Sequence, residues 1–231
     1  MASNEATATT FMGESTRPQR NQSRIGLTSK LMQPTSQVSG KTEMERIFEF
    51  LSTTDSADGP DNIGQKGIQL LCEELGIRRD SMEMYTLIWK LGVTKSGCIP
   101  RYDWLGMVYN YNIESVYDLK LKLREWVKES TGPALTECCC ELYDFIRGDN
   151  ARLMLPETAA RAWKTFFGCD PRVEEWIKWY TTVYREEVTR DIWNHVPVFF
   201  SNQENATPYR KEDKWPSAFD LFVEWRDTIP A

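Results

Sequence analysis

Lys214-Trp215-Pro216-Ser217-Ala218-Phe219-Asp220-Leu221-Phe222-Val223-Glu224-Trp225 is the stretch on which the fold turns. Phe219, Phe222 and Val223 recur at helical spacing, so one face should meet a core. Asp220, Glu224 and Asp227 recur at i, i+4 and i+7 and form an acidic stripe beside that face. Pro216 suits an opening turn, where a missing N–H costs nothing. Upstream, the spacing predicts a helix from Thr189 to about Ser201 that contains Arg190-Asp191-Ile192-Trp193. Pro197 lies inside it and should kink or shorten it. Trp193 and Trp215 each lie beside polar residues of this acidic region. A rigid aromatic next to charges reads either as an interface anchor or as a brace between two helices, and the sequence leaves both open.

Working back toward the N-terminus, the same period continues. Met44, Ile47, Phe48 and Leu51 mark a first helix from about Lys41. After a loop from Thr53 to Asn62, Ile68, Leu71, Cys72 and Leu75 mark a second, stopped near Gly76. Asp80 should cap a third, with Glu83 closing a capping box ahead of Met84, Leu87, Ile88 and Leu91. Pro100 opens a fourth through Trp104, Leu105 and Val108. Ser115 caps a fifth, with Val116, Leu119, Leu123, Trp126 and Val127 inward. A single helix is expected from about Pro133 to Arg147 across Cys138-Cys139-Cys140, Leu142 and Phe145. Pro156 and Asp170-Pro171 open two more. The first carries Ala159, Ala162, Trp163, Phe166 and Phe167 inward, the second Val173, Trp176, Ile177 and Tyr180. Nothing has a strand's period of two. The expected fold is therefore all-α, with about ten helices in two packed subdomains. A weak helix–loop–helix repeat suggests degenerate EF-hand-like pairs, with short strand-like pairs at the loop centres.

Residues 1–40 differ in kind. Twelve of them are Ser or Thr and Phe11 is the sole aromatic, so they cannot bury enough apolar surface to offset their ordering entropy. They are expected to form a disordered tail ahead of a folded part spanning 41–231, divided into an N-terminal half (41–130) and a C-terminal half (131–231). Of the 231 residues, 28 are Lys or Arg and 34 are Asp or Glu, a net charge of −6. The tail carries four basic and two acidic residues, which leaves about −8 on the folded part. An acidic domain argues against nucleic acid as the main partner.

Six cysteines, three of them consecutive, and the absence of an apolar leader favour a reduced cytoplasmic or nuclear setting. No separate Cys-x-x-Cys spacing and a lone histidine, His195, argue against zinc. No apolar run is long enough for a membrane span. Calcium would need carboxylates at fixed loop positions. With Ile63 eighth in its loop, Ser56 falls first, Asp58 third, Pro60 fifth, Asp61 sixth and Gly67 twelfth. With Ile99 eighth, Gly92, Thr94, Ser96, Gly97 and Asp103 occupy the corresponding places. Gly97 fits the turn, but the ligand charge is missing. No Gly-rich phosphate loop or evident nucleophile–base pair appears, so no catalytic residue, metal or cofactor is expected. The rival readings are an EF-hand-type calcium-binding regulator and a cysteine enzyme.

Several pieces, in order, carry a resemblance. They are Gly67-Ile68-Gln69-Leu70-Leu71-Cys72-Glu73-Glu74-Leu75-Gly76, Trp89-Lys90-Leu91, Ile113-Glu114-Ser115-Val116-Tyr117-Asp118-Leu119-Lys120, and Arg-Asp-x-Trp followed by Trp-Pro-x-x-x-Asp-x-Phe-Val-Glu. From about Arg46 to Arg226 the chain resembles the potentiating-neddylation (PONY) domain of the Defective-in-Cullin-Neddylation family. The resemblance implies EF-hand-like architecture and a monomeric, non-enzymatic scaffold that helps a conjugating enzyme pass a ubiquitin-like modifier to a cullin. It implies that a cullin's C-terminal winged-helix subdomain is bound through Asp191 and Asp220, with Trp215 and Glu224 beside them. Lys214 stands where the family carries a small residue. It further implies a pocket for the acetylated N-terminal methionine of the neddylation conjugating enzyme, lined by Ile68, Met84, Ile88, Ile99 and Phe145. Ala162 stands there in place of a larger aromatic, and Gln65 and Thr165 in place of aliphatics.

Overall fold

The computed structural model describes residues 40–54, 59–94, 97–149, 151–201 and 214–228, and these belong to one compact unit. The expected tail, apart from Gly40, lies outside the described residues. Among them are eleven α-helices and one two-stranded ladder, so the all-α expectation holds.

The chain enters α1 (Glu43–Ser52) through a reciprocal cap: the Thr42 hydroxyl accepts the Glu45 N–H (3.2 Å), and the Glu45 carboxylate accepts the Thr42 N–H (2.7 Å). Met44, Ile47, Phe48 and Leu51 are buried as their spacing requires. α2 (Gln65–Leu75) stops at Gly76, whose φ of 72° is the left-handed geometry that a helix C-terminus asks of glycine. Gly67 in its first turn has a different reason to lack a side chain. A Cβ there would lie 2.5 Å from the Leu51 carbonyl oxygen and 2.6 Å from Ile63 Cγ2, so α1 and α2 pack only because it is absent.

α3 (Met82–Leu91) begins one residue later than the sequence suggests. Ser81, not Asp80, is the cap, its hydroxyl accepting the Met84 N–H at 3.4 Å. Glu83 then falls at the second helical position, out of register for a capping box. The strands β1 (Asn62–Ile63) and β2 (Ile99–Pro100) pair antiparallel with Ile63 opposite Ile99, joining the loops of α1–α2 and α3–α4 at their centres. In α4 (Arg101–Asn110) Met107, rather than Leu105, is inward. The Trp104 indole donates to the Met44 carbonyl (3.1 Å), which fixes the buried side of the helix and turns Leu105 partly outward.

Ser115 caps α5 (Val116–Ser130) by accepting the Asp118 N–H (3.2 Å). Its last inward position belongs to Ser130, whose hydroxyl pairs with that of Thr86 (2.6 Å), while Val127 is half-buried. The single helix expected over 133–147 is two, α6 (Leu135–Glu141) and α7 (Tyr143–Arg147), broken at buried Leu142. The Cys139 carbonyl accepts both the Leu142 N–H (3.3 Å) and the Trp193 indole N–H (2.7 Å). That tightens the turn to an i+3 bond, a tertiary effect that apolar periodicity does not encode. The small cysteines let α6 lie close against α10 (Arg190–Ser201).

α8 (Pro156–Phe167) and α9 (Pro171–Trp179) each carry proline at their first position. α9 continues into a π-helical turn, Tyr180–Tyr184, ended by Arg185 at φ 58°. Thr189 caps α10, which runs on to Ser201 and is not shortened at Pro197. α11 (Ser217–Asp227) has Pro216 as its cap residue rather than in its first turn. At the centre Trp176 has no exposed surface. Its ring stacks on Phe219 (4.8 Å) and meets Phe222 (5.2 Å), Trp163 (5.8 Å) and Phe200 (6.1 Å), locking α8, α9, α10 and α11 together.

Candidate functional site

Two surfaces gather the residues singled out above. The first is formed by α10 and α11. Asp191 sits in the first turn of α10 with its side chain 70% exposed, and among the described residues only His195 pairs with its carboxylate. His195, one turn on, has Nδ1 2.8 Å from the Asp191 carbonyl oxygen and 3.4 Å from its carboxylate. The other side of the imidazole meets Trp215 (5.8 Å) and Phe219 (6.4 Å). His195 therefore spans from the first acid to the entry of the helix that carries the second, Asp220, which is half-buried. Glu224 and Lys214 are exposed.

Trp215 is half-buried, its ring against Phe199 (5.4 Å) and Phe219 (5.5 Å). Its indole nitrogen is buried with no hydrogen-bond partner among the described residues. Trp193 is wholly buried and donates to Cys139, so it is a brace and not an interface anchor. His195 was missed as a site residue. Its i+4 spacing from Asp191 was the available signal.

The second surface is a cleft of about 730 Å³ between the start of α3, α7 and α8. Ile68, Met84, Phe145 and Thr165 line it as expected positions. Ile88, Ile99 and Ala162 do not: each has no exposed surface. Ile99 is consumed by the β-ladder. Ile88 and Ala162 lie on the inward faces of α3 and α8, which the helical period cannot distinguish from a cavity wall.

Gln65 and Thr165, the polar departures from the resemblance, both act at the rim. The Gln65 amide donates to the Gly97 carbonyl (3.0 Å) and accepts from the Arg79 guanidinium. The Thr165 hydroxyl lies 3.3 Å from the Asp80 carbonyl, so it ties α8 to the approach of α3. Arg78, Arg79, Arg161 and Lys164, which no sequence motif singles out, border the same opening.

The cysteines point away from nucleophilic chemistry. Burial pushes the Cys138 thiol up to about 12 and the Cys139 thiol well above its ordinary value, and raises Cys140 and Cys72 as well. These thiols stay protonated, the opposite of an activated nucleophile. Among the described residues no three His, Cys, Asp or Glu converge as metal ligands, and no helix is long and apolar enough to cross a membrane. Ser56, Asp58 and Ser96 of the calcium alternative lie outside them.

Residues 118–225 match the family described as cullin binding, a span that takes in α5 to α11 and with them both Asp191 and Asp220. The DCN1-like protein 4 of Drosophila melanogaster is 22% identical over 184 residues, covering 78% of this chain and 74% of that protein. The DCN1-like protein 4 of Homo sapiens is 24% identical over 200 residues, 81% of this chain and 63% of that protein. The DCN1-like protein 5 of Homo sapiens is 26% identical over 182 residues, 73% of each. The chain is similar to the DCN1-like proteins. The likeness to the Defective-in-Cullin-Neddylation family drawn from the residue motifs is thereby borne out. The cullin-binding match begins within α5, so it bears most directly on the first surface. The cleft straddles the boundary, with Ile68 and Met84 before it and Phe145 and Thr165 within it.

Proposed function

We infer that this protein serves cullin neddylation as a scaffold: it holds a cullin on the α10–α11 face and a conjugating enzyme at the cleft, so that thioester and acceptor lysine meet. The observation that carries this is the cullin-binding match over 118–225, within which Asp191, His195 and Trp215 form a connected, partly exposed surface next to Asp220. The exposed Asp191 carboxylate, with Asp220 beside it, suits a basic patch on the cullin's C-terminal winged-helix subdomain, where charge complementarity sets encounter rate and register. Glu224 extends the acidic stripe by a turn. Lys214 stands at the rim, and its long stem can carry the ammonium aside.

The chain itself forms no bond. Its contribution is proximity, which in ideal intramolecular systems lowers a barrier by about 7–11 kcal/mol, an upper limit for a two-partner scaffold. The apolar wall of Ile68, Met84 and Phe145 would take the methionine side chain of an acetylated N-terminus. Acetylation removes an ammonium that would otherwise have to be desolvated beside the rim cations. We place this activity in the cytoplasm or nucleus and assign it to the monomer.

Reconstitution tests it. A cullin C-terminal domain, a conjugating enzyme charged with the modifier, and this protein are combined, and modified cullin is followed in time. The expected result is faster cullin modification with no modifier thioester on this protein. An unchanged rate, or a thioester on Cys169 or Cys98, contradicts it.

A further inference from the structure

His195 is the only histidine in the chain, and the fold fixes which of its two nitrogens is left for a partner. Nδ1 lies 2.8 Å from the Asp191 backbone carbonyl oxygen and 3.4 Å from the Asp191 carboxylate. Both neighbours can only accept, so Nδ1 must carry a proton. The neutral ring is then the Nδ1–H tautomer, and Nε2 keeps a lone pair. Trp215 (5.8 Å) and Phe219 (6.4 Å) flank the ring at steep angles, and the bond to Asp191 selects one of its two flips. Nε2 has no partner among the described residues and is not sealed from solvent, 34% of the side chain being exposed.

A proton on Nε2 would put a full positive charge on the α10–α11 face. Among the described residues Asp191 alone pairs with the ring. The charges on the surrounding elements are engaged elsewhere or stand further along the face. Arg190, also on α10, pairs with Asp144 of α7. On α6, Glu141 accepts from the Trp89 indole, Glu137 is exposed, and burial keeps the Cys139 and Cys140 thiols protonated. On α9, Arg172 is held by Asp170 and by the Phe200 carbonyl. α11 brings Asp220 and Glu224, with exposed Lys214 just ahead of it.

We propose that His195 is a specificity-determining residue of the cullin face: its neutral Nε2 accepts a hydrogen bond from the bound cullin, and its protonation weakens the complex. This rests on reading the α10–α11 face as the cullin surface. A basic partner supplies N–H donors for the Nε2 lone pair. A proton on Nε2 removes that acceptor. It also adds a positive charge that repels a basic partner and competes with it for the Asp191 carboxylate. These effects share one sign, so affinity is highest with the ring neutral and falls as pH drops. A histidine that only braced Trp215 would give no such dependence.

Calorimetry with the full chain and a cullin C-terminal domain tests this at about pH 8 and about pH 5.5, either side of the range in which histidines ordinarily exchange protons. His195→Gln is measured beside the wild type, since glutamine keeps an acceptor at a similar reach but gains no charge. Taking the ratio of affinities at the two pH values within each protein removes the cullin's own titration. The wild-type ratio should exceed that of His195→Gln by about fivefold, the scale of one exposed charge pair. His195→Lys, permanently charged, should bind more weakly than the wild type at the higher pH and show the smaller ratio of the glutamine variant. The imidazole nitrogen NMR shifts belong to one residue and should report the Nδ1–H tautomer at the higher pH. Equal ratios in the wild type and His195→Gln, or an Nε2–H tautomer, overturn the proposal and leave the scaffold reading standing. No cullin binding by the wild type at the higher pH overturns the scaffold reading and the proposal with it.

Discussion

The α10–α11 face and the cleft solve the same problem in opposite ways. The face is mounted on a rigid aromatic seam. Trp176, Trp193, Phe219 and Phe222 have essentially no exposed surface and fix both helices, so the acids at their edge are held on a rigid mount. The cleft is assembled from the beginnings of α2 and α3, the short α7 and the length of α8, and its rim is held by a few polar ties: Gln65 to Gly97 and Arg79, Thr165 to Asp80. One surface is fixed by bulk packing and the other by single hydrogen bonds. Partner recognition at the face should therefore fail with the fold, whereas recognition at the cleft should be tunable one residue at a time.

Trp176→Ala breaks the seam and gives the largest effect. Truncating a fully buried tryptophan costs about 3–5 kcal/mol, read as a lower urea midpoint, and should abolish cullin binding while folded molecules still bind peptide at the cleft. Gly67→Ala comes next. The new methyl meets backbone at Leu51, which side-chain motion cannot relieve, so a loss of about 1–3 kcal/mol is expected. It should weaken the cleft through neighbouring Ile68 and spare the α10–α11 face. Equal damage to both surfaces by either variant would break the distinction between them.

Thr42→Ala removes the α1 cap at a cost of about 1 kcal/mol and should leave both surfaces binding normally. Glu45→Gln gives the smallest change, visible mainly with pH. The Thr42 backbone N–H, first among its partners, lowers the Glu45 pKa on folding. That contribution is present above the ordinary carboxylate value and is lost as pH falls through the folded one, so the variant should flatten the acid limb of stability against pH.

Most of the fold was legible because its helices are amphipathic and announced by caps. Thr189 and Ser115 cap where their sequence positions indicate, and Pro156 and Pro171 open helices. Two of the failures have a common cause. Trp104 reaching Met44 rotated α4, and Trp193 reaching Cys139 went with the break of one expected helix into α6 and α7. Both are contacts across more than fifty residues, invisible to local period.

The two surfaces were unequally legible for a related reason. Asp191 is a charged residue left largely in solvent, which no packing argument explains away. Ile88 and Ala162 share the helical period of true lining residues such as Met84 yet are fully buried, because apolar spacing reports an inward face and not whether that face meets a cavity, while Ile99 is taken up by the β-ladder. The rim arginines carried no periodic signal and became meaningful only when the fold placed Arg79 and Arg161 at one opening.

The central claim is that the acids of the α10–α11 face hold a cullin. It is tested most directly by the affinity of Asp191→Lys combined with Asp220→Lys for a cullin C-terminal domain, with helix content followed by circular dichroism. Helix content should match the wild-type protein while binding falls by at least about a hundredfold, since two attractive contacts become repulsive. Wild-type affinity in the double variant would contradict the account and put the cullin on another face.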